Sequence, residues 1–366
     1  MARTRRTSAT VIVVAAFALT ACAAPGGESS STGIDPDADL TQQSIVVANW
    51  ANYMPEDIAE VFNERTGATM DVTFSTSNEE LVAKVQASLA GELDVIFASQ
   101  PVLDALAAEG LLEPLDTTYI ENWGNLTPEA SDIASASGEA MWAPYAWGTT
   151  GICYRADLVN PAPTSWMDIL EPEEQYHGKI TLLETLRWAM LPAQKVLGLS
   201  VNETDAAKMA EVQPILEAAK DTMLTYDDAT FYDRLVSGEV VMSAAWDGWC
   251  NYGTAVNPDV KFVVPDEGSD LWIDAMAVLK SSENKEAAMK FIDTILDAET
   301  HAWVSDNILY NVPNDAAQSF IDPATKETFD ILGARQAEML RGENMVDIGQ
   351  EAEKMYVDIL TRVKAS

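Results

Sequence analysis

Short apolar runs alternate with amphipathic stretches over residues 44–108. Residues 44–50 (SIVVANW) read as a buried strand, 70–74 as a second that alternates apolar and polar positions, and 93–99 (LDVIFAS) as a third. Helical spacing fills the gaps. Ile58, Val61 and Phe62 share a face after Pro55, which is expected to open the first helix. Leu81, Val82 and Val85 follow Asn78 and two acids, and 102–108 forms a third helix. Strand–helix alternation at this spacing predicts an α/β lobe with a largely parallel sheet. Ligands of such sheets sit beyond the carboxyl ends of strands, where Trp50 and Ser99 stand.

Residues 141–154 (MWAPYAWGTTGICY) form an extended, Gly-punctuated stretch expected to cross into a second lobe, with Gly148 and Gly151 lending a hinge its freedom. Beyond it the pattern predicts a strand near 179–183 and a helix over 186–197. Pro192 should kink that helix or delay its start. A helix over 206–220 and a strand from 238 that ends in an aromatic turn at 246–249 follow, then a short strand over 260–265. The stretch 268–279 (GSDLWIDAMAVL) is expected to cross back near 272–275, and helices over 286–296 and 351–363 complete the chain.

On a strand, Trp272 and Asp274 point to the same side, because side chains alternate with period two. A wide π face beside a carboxylate is the chemistry that holds a small organic cation. The same pair also fits an indole packed on the core beside a solvated acid.

The ends and the charge narrow the class. Arg3, Arg5 and Arg6 precede an apolar segment over 11–19, the form of a signal peptide too short to span a membrane. Leu19-Thr-Ala-Cys22 resembles a bacterial lipobox, which implies cleavage before Cys22 and a lipid on that residue. Residues 23–43 are rich in Gly, Ser, Pro and Asp and read as a tether. The expected product is exported and lipid-anchored. Without the three leader arginines, 19 basic residues face 58 acidic ones, a balance of −39 that argues against nucleic-acid binding. Cys153 and Cys250 remain as a possible disulfide. His177 and His301 form no recognisable triad, and neither a phosphate loop nor a metal-ligand cluster is evident, so no enzyme, metal or cofactor is expected. A body of about 320 residues exceeds one compact core and predicts two lobes.

Five motifs in order carry a specific likeness: Asn49-Trp-Ala-Asn-Tyr-Met-Pro55, Pro144-Tyr-Ala-Trp-Gly148, Trp246, Trp272-Ile-Asp274 and Asn284-Lys-Glu-Ala-Ala-Met-Lys-Phe-Ile292. Together they resemble the spermidine/putrescine-binding proteins of ABC importers. The resemblance implies the two-lobed α/β fold of type II periplasmic binding proteins, with lobes over 44–148 plus 273–318 and 149–272 plus 319–366. It also implies a monomer that delivers a small cationic amine to permease subunits driven by cytoplasmic ATPases. The implied ligand contacts are Trp50, Tyr53, Ser99, Trp246, Trp272 and Asp274. Acids that the family places elsewhere are altered, falling on Asn52, Thr185 and Trp188, and a glutamine contact falls near Met345. Glu184 and Asp247 are adjacent acids able to compensate, and Trp147 adds aromatic surface. One secure carboxylate among several aromatics suits one cationic head better than three, so a diamine, a monoamine or a quaternary ammonium fits. A ligand-sensing receptor subunit is the alternative role.

Overall fold

The computed structural model describes residues 33–87 and 91–366. The leader, Cys22 and residues 23–32 of the tether lie outside the described residues. Among the described residues eleven strands run in chain order: β1 Ser44–Trp50, β2 Thr69–Ser75, β3 Val95–Ser99, β4 Ala143–Gly148, β5 Thr150–Arg155, β6 Ile180–Leu182, β7 Thr225–Tyr226, β8 Met242–Trp246, β9 Val260–Val263, β10 Asp270–Val278 and β11 Glu343–Asn344. They form two sheets. The first has the order β11-β10-β3-β1-β2, with β4 also on β10; the second has the order β7-β6-β8-β5-β9.

Both sheets are mixed where the pattern predicted largely parallel ones. β1 pairs parallel with β2 and β3, and β6 with β7 and β8. β10 runs antiparallel to β3 and β4, and β5 antiparallel to β8 and β9. The reason is topological. A chain that leaves one sheet for the other and later returns inserts its crossing strands against the direction of the strands already there, whereas helix-linked neighbours stay parallel.

Thr149 alone separates β4 of the first sheet from β5 of the second, so the outward crossing falls where expected. The return lies earlier than expected: β10 belongs to the first sheet from Asp270 onward, which puts the crossing at 264–269, ahead of Trp272. The two crossings are joined. Thr149 Oγ1 donates to the Asp270 carbonyl (2.7 Å), the Thr150 amide to Asp270 Oδ1 (2.8 Å), and Ser269 Oγ to the Thr150 carbonyl (2.6 Å). Gly148 and Gly151 sit here, though neither adopts a backbone conformation that demands glycine. What they supply is the missing Cβ: at Gly151 one would stand 2.4 Å from the Val263 carbonyl oxygen.

Other elements differ in detail. The first helix, Ile58–Thr66, begins after a turn that includes Pro55. The Leu186–Val196 helix starts on time and runs through Pro192. The expected aromatic turn after β8 is the first turn of a helix, Asp247–Val256. Cys250 of that helix is disulfide-bonded to Cys153 of β5, with Cα atoms 5.7 Å apart. An edge-to-face aromatic series of Phe62, Phe291, Phe97 and Tyr145, with centroids 5.7, 6.3 and 4.8 Å apart in turn, ties the flanking helices to the first sheet. His301 belongs to this core. Burial lowers its pKa to about 4, and its Nε2 lies 2.7 Å from the Tyr145 carbonyl oxygen.

Candidate ligand site on one face of β10

Period-two geometry puts Asp270, Trp272 and Asp274 on one face of β10. Asp274 is the most exposed residue of that strand, partly buried where its neighbours are buried. Its cross-strand partner on β3 is Ser99, so the two side chains meet on the same face. The Ser99 hydroxyl faces the carboxylate, whose pKa it lowers, and accepts from Asn78 Nδ2 at 2.9 Å. The Tyr53 hydroxyl donates to Asp274 Oδ2 at 2.8 Å. Burial raises the Asp274 pKa to about 6, and these two hydroxyls act in the opposite direction.

Tyr53 is held in place by its own carbonyl, which accepts the Tyr145 hydroxyl at 2.6 Å. Around it stand Trp50, Tyr145 and Tyr310, with centroids 5.4, 5.5 and 5.6 Å away, and Tyr310 lies 5.3 Å from Trp272. Ring faces and edges thus surround one carboxylate that has access to solvent. A desolvated ammonium beside such rings gains about 2 kcal/mol from them, in addition to its ion pair.

The other side is built from the second sheet. Trp188 donates its indole N–H to Asp270 Oδ2 (2.8 Å) and packs edge-on to Trp246 (5.7 Å). Asp247 opens the helix after β8 and is fully buried; burial pushes its pKa well above the usual carboxylate value, while the Gly248 and Thr149 amides oppose that shift. Two glycines let the sides approach. A Cβ on Gly148 would meet Trp272 Cζ2 at 2.1 Å, and one on Gly248 would meet the Tyr310 ring at 2.3 Å. Hydrogen bonds span the same seam: the Trp249 amide donates to the Tyr310 hydroxyl (3.1 Å) and Asn251 Nδ2 to the Leu309 carbonyl (2.8 Å).

Several candidates fall outside this group. Asn52 is exposed with φ 58°, a left-handed turn position that Asn tolerates well. Trp147 pairs with Ile273 in register and so occupies the opposite face of the sheet from Trp272 and Asp274. The Glu184 and Thr185 amides bind Asp228, and the Glu184 carboxylate pairs with Lys364 (2.8 Å). Met345 is buried, its amide bonded to the Leu271 carbonyl. Two participants were missed. Asp270 was legible, being two residues before Trp272 on the same strand. Tyr310 had only an aromatic ahead of Asn-Val-Pro313 as its signal.

A surface cavity of about 450 Å³ lies elsewhere, lined by Arg65 and Lys290 among others. Both cations already face acids, Asp297 for Arg65 and Glu121 and Asp293 for Lys290, so that cavity offers a cationic ligand little.

The spermidine/putrescine-binding periplasmic protein of Escherichia coli (strain K12) is 28% identical over 319 residues, covering 87% of this chain and 90% of the relative. A putrescine/cadaverine-binding protein of Pseudomonas aeruginosa is 27% identical over 334 residues, covering 88% and 94%. Among solved structures, the spermidine/putrescine ABC transporter substrate-binding protein PotD from Streptococcus pneumoniae superposes with a TM-score of 0.78 at 25% identity, covering 88% of this chain and 99% of that one. Residues 57–327 match the model of the bacterial extracellular solute-binding proteins, and the chain belongs to that family.

Proposed function

We propose that the protein captures a small organic amine of the putrescine–spermidine class and hands it to the permease of an ATP-driven importer. The observation that carries this reading is Asp274, a carboxylate with a path to solvent, held by two hydroxyls and walled by Trp50, Tyr53, Trp272 and Tyr310. That set rewards a compact cation and penalises an anion. The names of the relatives support the amine class. The neutral residues Asn52, Thr185 and Trp188, where the resemblance places acids, leave too few acids for three ammonium groups, which favours a ligand shorter than a triamine.

Trapping follows from having two walls. A ligand that touches both binds the closed arrangement better than the open one, so it draws together lobes over 44–148 plus 273–318 and 149–272 plus 319–366, with 270–272 moving with the first. The bonds of Trp249 to Tyr310 and Asn251 to Leu309 support a closed form of this kind. The leader and the motif at Cys22 support export and lipidation at the membrane surface.

Calorimetry of the purified protein against putrescine, cadaverine, spermidine and choline tests the reading. Saturable binding of an amine, with a smaller radius of gyration by small-angle scattering at saturation, is expected. Choline bound in preference to every diamine would move the substrate to quaternary ammonium compounds. Binding of none of the four would remove the amine assignment.

A further inference from the structure

Cys153 and Cys250 join positions 97 apart in the chain, and the usual effect of such a bond is to constrain the unfolded state. Its place in this fold gives it a second effect. Cys153 stands at the centre of the second sheet, with Ser243 of β8 and Phe262 of β9 beside it in register. Cys250 lies at the end of the first turn of the Asp247–Val256 helix. That turn brings Gly248 against the Tyr310 ring and the Trp249 amide to the Tyr310 hydroxyl (3.1 Å). The disulfide is therefore fixed directly behind one wall of the ligand site.

Helical spacing sorts the residues of this helix into two faces. Gly248, Asn251 and Tyr252, three and four positions apart, face Tyr310 and the residues just before it. Asn251 Nδ2 donates to the Leu309 carbonyl (2.8 Å) and the Tyr252 hydroxyl to the Asn307 carbonyl (3.5 Å). Cys250, Gly253 and Thr254, at the same spacings, face the second sheet. A Cβ on Gly253 would stand 3.1 Å from Val260 Cγ1, and Thr254 Oγ1 donates to the Val260 carbonyl (3.0 Å). Those contacts hold the second turn to β9. At the first turn the tie to β5 is the disulfide, and the N-cap residue, Trp246, adds no side-chain cap bond. β5 carries the tie on to the crossing, where the Thr150 amide is held by Asp270 Oδ1.

We infer that the Cys153–Cys250 disulfide is a positioning element for ligand capture. It holds the first turn of the Asp247–Val256 helix where the two walls meet, so breaking it weakens amine binding in a protein that stays folded. The inference rests on the amine-binding reading above and adds to it what keeps one wall in place. With the bond gone, the pairing of β5 with β8 and β9 persists, but the helix start can shift on the sheet. The bonds to Tyr310, Leu309 and Asn307 then lose their alignment. A wall free to move must be ordered by the ligand, and that ordering is subtracted from the affinity. Such coupling is reciprocal: a ligand that prefers the aligned wall must also make the disulfide harder to reduce.

The probe is putrescine, replaced by choline if choline is the tighter ligand. The double variant Cys153→Ala with Cys250→Ala should bind it about tenfold or more weakly than oxidised wild type, a usual size for coupled sites. A purely structural bond would lower the melting temperature and leave the affinity of the folded protein unchanged, and that result would overturn the inference. The second measurement uses unmodified protein. Dithiothreitol cleaves the S–S bond to two thiols and is itself oxidised to a cyclic disulfide. Saturating ligand should shift that equilibrium toward the protein disulfide by the same factor, with circular dichroism establishing that the reduced protein is folded. An equilibrium indifferent to ligand, or loss of the fold in both the reduced protein and the double variant, would also overturn the inference. Oxidised wild-type protein that binds none of the four amines would instead remove the amine reading on which it rests.

Discussion

Asp270 and Asp274 stand two positions apart in the period-two row of one strand, both with pKa raised by burial, yet they do different work. Asp270 is held by two rigid donors, the Trp188 indole and the Thr150 amide, with the Ser269 hydroxyl 3.1 Å away. They join the two crossings and leave no room for a ligand. Asp274 is faced by two hydroxyls, which can turn, of which Tyr53 donates to it, and it is the most exposed residue of β10. The difference teaches that a buried acid becomes a binding group through the kind of donor around it and through one open direction, not through burial itself.

The largest expected effect would test the structural half of that contrast. Asp270→Ala leaves the Trp188 and Thr150 N–H groups buried without acceptors and should cost about 3–5 kcal/mol of folding stability. A denaturant midpoint close to wild type would show that the crossings do not depend on Asp270. Asp274→Asn should do the reverse, weakening amine binding by about 2–5 kcal/mol while the ligand-free melting temperature holds or rises. Unchanged calorimetric affinity would remove Asp274 from the site. Trp188→Phe keeps the ring contact with Trp246 but deprives Asp270 Oδ2 of its donor. About 1–3 kcal/mol of stability should go, read as a shift in melting temperature. If the loss appears in affinity instead, Trp188 belongs to the ligand wall.

The smallest effect is a pH dependence with two opposed signs. Because the folded pKa of Asp274 is about 6, above the ordinary carboxylate value of 3.8, its contribution to the stability of empty protein is present below the lower value and lost as pH rises through about 6. Affinity runs the other way. A cation needs the ionised form, so below about pH 6 binding should weaken tenfold per pH unit. The Tyr53 bond lowers this pKa, so Tyr53→Phe should move the midpoint of the affinity curve to higher pH. Titration of affinity against pH in both proteins checks the direction, and a midpoint that moves down would reverse the role given to Tyr53.

Local pattern carried much of this. Period two joined Trp272 to Asp274, β1 and β3 ended at Trp50 and Ser99 as the apolar runs required, and the Gly-punctuated stretch through Gly148 was an evident crossing. It misjudged elements whose direction or start depends on distant partners, such as the antiparallel insertion of β10 and the helix that begins at Asp247. Among the acids, the chain order of Glu184, Asp247, Asp270 and Asp274 contains no sign that the first pairs outward with Lys364 while the second is buried with a free oxygen.

What the amino-acid sequence determined by itself was the alternation of strands and helices, the shared face of Asp270, Trp272 and Asp274, and the aromatic, acid-poor character of the site. These follow from backbone periodicity and composition, which are properties of neighbours in the chain. Only the tertiary structure decided which acid is a structural link and which is open to ligand. The bonds that decide it join Trp188 to Asp270 across 82 positions and Tyr53 to Asp274 across 221. Desolvation, which sets the charge each acid carries, depends on everything packed around it and so on no short stretch of sequence.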